Sequence, residues 1–120
     1  MDKKFFIRFE KDLQGINTTL ILLGIIIEGG KMWTHQIKSR FEELSESSYI
    51  LPTSTLYATL NKLEFQYNVI YSDYDDEVKR KYYSPTQTGF DNYKYVKNYF
   101  FDFYEQFTST LNKLNIKKEN

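Results

Sequence analysis

Cysteine is absent from the 120 residues, so disulfides and thiolate metal sites are excluded and a reducing compartment is the expected setting. The single histidine, His35, cannot supply a metal triad or a His-based catalytic triad within one chain, and a buried or capping role is expected of it. Net charge is missing too: 16 Lys and Arg stand against 16 Asp and Glu, so no gross basic excess announces a polyanionic partner. The longest apolar run, Leu20 to Ile27, falls far short of the roughly 20 residues that cross a bilayer. Met1 to Leu13 is charged throughout and lacks signal-peptide character, which makes a cytoplasmic protein without a membrane partner the expectation. Asp73, Asp75, Asp76 and Glu77 lack the glycine and spaced ligands of a calcium loop and read as a solvated turn. Nothing here points to catalysis, a metal or a cofactor.

What the chain has in excess is aromatic surface. Eleven Tyr and ten Phe are more than one small domain can readily bury. A second copy of the chain is expected to cover some of them.

The pattern predicts a mainly α fold with one small β-hairpin. Asp2 to Leu13 reads as a short amphipathic helix ended by Gly15, with Phe5 or Phe6, Phe9 and Leu13 on one face. Asn17 or Thr18 caps a second helix to about Glu28, apolar all round and therefore central, stopped by Gly29-Gly30. A third runs from Trp33 or Thr34 to Leu44, with Ile37, Phe41 and Leu44 facing the core. Trp33 is expected as a core or interface anchor. Ser45 to Ser48 is a polar loop. Pro52-Thr53-Ser54-Thr55 opens a fourth helix, in which hydroxyls can satisfy free N–H groups, and Leu56, Leu60 and Leu63 form its buried stripe. It ends near Gln66 or Asn68. Val69 to Tyr74 and Val78 to Ser84 alternate as the strands of a hairpin with an acidic tip. Thr86 caps a last long helix. There Tyr93, Phe100, Phe107 and Leu114 recur every seventh residue with Val96 and Phe103 between them, a coiled-coil seam. The tail after Leu114 is expected to fray.

That order is the winged helix-turn-helix plan with a helical dimerisation arm. The expected organisation is an N-terminal amphipathic arm over residues 1–15, a DNA-binding domain over 16–85 and a dimerisation helix over 86–120. On the fourth helix Thr53, Tyr57 and Asn61 lie away from the leucine stripe, with Ser54, Thr55, Ala58 and Lys62 beside them. Such hydroxyl, amide and cationic side chains suit phosphates and base edges of double-stranded DNA. Lys79, Arg80 and Lys81 are expected wing contacts. Phe5, Phe6, Phe9, Tyr93, Val96, Phe100, Phe103 and Phe107 are expected to carry a homodimer.

Pro52-Thr53-Ser54-Thr55-Leu56-Tyr57, followed by Leu60 and Leu63-Glu64, resembles the Thr-Leu-Tyr recognition-helix signature of PadR-like regulators. Arg80-Lys81-Tyr82-Tyr83-Ser84-Pro85-Thr86-Gln87-Thr88-Gly89 is similar to the Arg-x-Tyr-Tyr-x-Leu-Thr-x-x-Gly stretch that closes their wing, with Pro85 in the place of Leu. The resemblance covers roughly residues 17 to 110. It implies a dimeric transcriptional repressor, not an enzyme, in some members released by a small aromatic effector. The architecture is also similar to that of the bacterial replication terminator protein, and winged-helix plasmid-partition adaptors share it. A rival of another class is a protein–protein interaction module, for which zero net charge and the acidic wing tip are the best support.

Overall fold

A computed structural model of the protein describes residues 2–46 and 49–117. The expected loop Ser45 to Ser48 and the C-terminal tail therefore lie partly outside the described residues. Helix α1 spans Lys3–Gly29, strand β1 Met32–Trp33, helix α2 Thr34–Leu44 and helix α3 Thr53–Asn61. Strands β2 (Ile70–Asp75) and β3 (Arg80–Pro85) form the wing, and α4 (Gln87–Lys113) closes the chain. The sheet is antiparallel in the order β1-β3-β2.

The first two expected helices are one. Gly15 does not end α1: the helix begins with Asp2 accepting from the amides of Lys4 and Phe5, and stops only at Gly30, whose φ is +79°. A mid-helix glycine costs only about 1 kcal/mol, so Gly15 weakens the helix without breaking it. At Gly30 the amide returns to the Ile26 carbonyl at 2.7 Å. The C-terminal half of α1 is the centre of the molecule, with Leu22, Leu23, Ile25 and Ile26 buried together with Ile37 and Phe41 of α2. Leu44, expected in this core, is half exposed at the end of α2.

Helix α3 buries Leu56, Thr59 and Leu60, and Leu63 follows in a π-helical turn over Lys62–Gln66. Each such leucine removed from water stabilises the fold by about 1.5–3 kcal/mol. The turn ends where Asn68 adopts φ +56° and the Val69 amide reaches back to the Leu63 carbonyl, a left-handed cap for which asparagine is suited.

Strand β1 was not anticipated; two residues are too few to show alternation. It pairs Met32 with Tyr83 and Trp33 with Tyr82. In the hairpin, Asp75 belongs to β2, and Val78 and Lys79 belong to the turn instead of the second strand. The Asp75 carboxylate accepts from the amides of Glu77 and Val78 and so builds that turn, while Lys79 takes φ +55°.

Thr86 joins wing to final helix, as the motif around it suggested. Its hydroxyl accepts from the Gly89 amide and donates to the Asn68 carbonyl, and its amide donates to the Val69 carbonyl. Beyond this anchor α4 crosses α1, and the Tyr93 ring packs over Gly24 in space that any larger residue would occupy. Tyr93 thus serves its own protomer. Past the crossing, the N-terminal half of α1 and the C-terminal half of α4 leave the domain, and the chain measures 63 × 31 × 25 Å. Its radius of gyration is 17.2 Å, against about 14 Å for a compact domain of this length.

Candidate nucleic-acid interface

Helix α3 is polar where it meets solvent because its apolar residues are spent on the other side. Thr53, Ser54, Tyr57, Ala58, Asn61 and Lys62 are exposed, and Thr55 is partly covered. No side chain caps the N-terminus of α3, so the hydroxyls there are not engaged as the sequence suggested. Thr53 and Ser54 are exposed beside its first amides. Ion pairs among the described residues gather on Arg40, which joins Glu28 of α1 at 2.8 Å and Glu43 of α2 at 2.6 Å. Among the described residues the cations of α3 and the wing are therefore in no ion pair with a carboxylate.

The wing is fixed against α3 by Glu64. Its Oε2 accepts from both the amide and the hydroxyl of Ser72, at 3.1 and 2.7 Å. That bond identifies the side of the hairpin that faces α3. Ser72 is opposite Tyr83, and Tyr74 opposite Lys81, so all four residues share it. Tyr83 is buried, and burial pushes its phenol above the ordinary tyrosine range; the Lys81 ammonium opposes this, and Glu64 and Tyr57 add to it. Lys81, Tyr83, Glu64 and Tyr57 are therefore neighbours across the junction of wing and helix. The Lys81 Nζ lies 5.4 Å from the centre of the Tyr83 ring.

The opposite side has a different character. Asp73 pairs with Tyr82 and Asp75 with Arg80, so the strand carboxylates and Arg80 all fall on the face turned away from α3. There the Arg80 guanidinium lies 4.1 Å from the centre of the Trp33 ring, and the Lys31 ammonium 5.1 Å from that of Tyr82. Trp33 is a half-buried platform at the start of α2, where its amide donates to the Gln36 side chain. His35 is exposed, neither buried nor capping, with its ring 5.4 Å from that of Trp33. The structure thus brings Tyr57 and Lys81 together around Tyr83, leaves Thr53, Ser54, Asn61 and Lys62 exposed on α3, and sets Arg80 on the other face of the wing. Lys79 stands in the turn at the tip. Strand alternation in the sequence already puts Arg80 on the other face from Lys81; the register adds that Asp73 and Asp75 share the face of Arg80.

Apart from Tyr93, the expected seam residues lie on the two projecting arms. Phe5, Phe9, Val96, Phe103 and Phe107 are 43–65% exposed, and Phe6 is also exposed. Phe5 stacks on Phe9, and Phe103 contacts both Tyr99 and Phe107. Phe100 is half covered, by neighbours on its own helix. Among the described residues no cluster of His, Asp and Glu could hold a metal ion, and no helix is long and apolar enough to cross a membrane.

No protein-family model and no curated protein matches this chain. Solved structures do. A transcriptional regulator from Clostridium thermocellum superposes with a TM-score of 0.68 at 26% identity, over 88% of this chain and 96% of that one. A PadR family transcription regulator from Clostridium difficile gives 0.59 at 25% identity, over 78% and 96%. A PadR family regulator from Eggerthella lenta shares the fold at 20% identity, with a TM-score of 0.65 over 95% and 100%. The fold, mainly helical with a small three-stranded sheet, is similar to that of these PadR-like winged-helix transcriptional regulators.

Proposed function

We propose that this PadR-like chain is a homodimeric transcriptional repressor that binds double-stranded DNA sequence-specifically through α3 and the wing. The observation that carries the DNA reading is the exposed polar face of α3 beside a wing whose Lys81 meets Tyr57 around Tyr83, while the wing carboxylates Asp73 and Asp75 are turned away. Zero net charge is thereby compatible with a locally cationic groove, because the charges are sorted by strand face. In this reading Thr53, Ser54 and Thr55 with the first amides of α3 hold a phosphate, Tyr57 and Asn61 meet base edges, and Lys62, Lys79 and Lys81 contact the backbone. Arg80, seated on Trp33, is outside that set.

The dimer is supported by surface area. One protomer exposes 9460 Å², about 2,600 Å² more than the roughly 6,900 Å² of a folded monomer of its mass. That excess is of the size a permanent homodimer hides. The apolar stripes on the free halves of α1 and α4, carrying Phe5, Phe6, Phe9, Val96, Phe100, Phe103 and Phe107, are the surface for it.

The test is a mobility-shift selection from random-sequence duplexes, repeated across salt. Retention of a two-fold symmetric site, with affinity falling steeply between low and physiological salt, is the expected result. Failure to retain any duplex removes the DNA reading and leaves the protein–protein module. A selected site that maps over a promoter supports repression; a tandem array away from promoters supports replication termination or partition.

A further inference from the structure

We propose that Tyr74, a wing residue with no part in the core, is a phosphate-contacting residue that works beside Lys81; the inference rests on the DNA reading above. Four observations converge on it. The register places Tyr74 opposite Lys81. Strand alternation puts it on the same side as Ser72, which Glu64 holds against α3. Its side chain is 59% exposed although it is large and aromatic. The carboxylates Asp73 and Asp75 are on the other side, and the acid on this side, Glu64, is engaged with Ser72, so Lys81 is the charged group opposite Tyr74.

A tyrosine here supplies what the neighbouring lysine cannot. The ammonium of Lys81 is a mobile point charge on a flexible stem. The phenol of Tyr74 is a directional donor on a stiff ring, fixed by a strand two residues from the Glu64 staple. Together they present one neutral and one charged donor to adjacent oxygens of a sugar-phosphate strand running past the recognition helix. Phosphate contacts fix register without reading sequence, so this pair orients α3 in its groove.

The test uses the full chain and two probes: a duplex selected by the wild-type protein and a mixed-sequence duplex. Tyr74→Ala is expected to weaken both by roughly ten-fold, the effect of losing one hydrogen bond to a charged group. Tyr74→Phe keeps the ring and its packing, and it is expected to lose most of the same affinity with an unchanged salt slope. Lys81→Ala is expected to lower that slope by about one. Tyr71→Ala, on the far side of β2, is expected to bind as wild type. Wild-type affinity in Tyr74→Phe, or an equal loss in Tyr71→Ala, overturns the proposal. If the wild-type protein retains no duplex at all, the DNA reading has failed and not this step alone.

Discussion

The Val69 carbonyl occupies the place where a β-carbon on Gly89 would have to go. The same carbonyl accepts from the Thr86 amide, so it cannot move without breaking the anchor of α4. Gly89→Ala is therefore expected to destabilise the fold by about 1–3 kcal/mol, as overpacking against fixed atoms does. Gly24→Ala meets only the mobile end of the Tyr93 side chain and is expected to cost less. Urea unfolding of both variants at one protein concentration checks the ranking.

Glu64→Ala removes the acceptor for two donors of Ser72. A loss of about 1–3 kcal/mol is expected, since the Ser72 amide is left without a partner beneath the wing. Its other carboxylate oxygen is buried without a partner, so part of the carboxylate's own desolvation cost is relieved in the variant. Thermal melting followed by circular dichroism measures the net effect, and a variant more stable than wild type would contradict the staple.

Asn61→Ala is expected to lower affinity for the selected duplex by about 1–3 kcal/mol and leave mixed-sequence binding nearly unchanged. Equal losses on both would demote Asn61 to a backbone contact.

Phe103→Asp places a charge on the free half of α4, where the parent ring is exposed and supports only its own helix. The protomer is expected to stay folded and to run as a monomer in light scattering. A dimer that survives would locate the interface elsewhere.

Tyr83 ties stability to alkaline pH. Its phenol titrates above the ordinary value in the folded protein, chiefly through burial. The neutral form is the one that fits the fold. Its contribution is fully present below the unfolded tyrosine value of about 10 and is lost as pH rises through the raised folded value. Denaturant midpoints measured across that window should fall in the wild type and fall less in Tyr83→Phe.

The helices and hairpin were legible because their signals are local: the leucine stripe of α3, the alternation of the wing strands, and the Thr86 cap with Gly89 three residues on. The exposed face of α3 followed from the same periodicity. The continuity of α1 was not legible, because Gly15 carries the residue type of a stop and Asn17 and Thr18 that of a new cap. Nor was β1, whose two residues gain their strand geometry only from Tyr82 and Tyr83. The use of Tyr93 was hidden for a related reason. Its heptad position is the same whether the ring meets a second copy or Gly24 of its own chain. Alternation alone separates Arg80 from Lys81, but that Asp73 and Asp75 share the face of Arg80 needed the register between the strands.

An unbroken α1 has a mechanical meaning. Its 27 residues form a rod of about 40 Å, one end in the proposed seam between copies and the other beneath α3. Such a rod has no elbow to absorb a change of tilt. A few degrees of rotation where two copies cross would arrive at the far end as ångströms of displacement, separating or approaching the paired helices that must match a duplex repeat of about 34 Å. The aromatic arms would then act as a torsion bar, and whatever alters their packing would retune the gauge of the whole assembly.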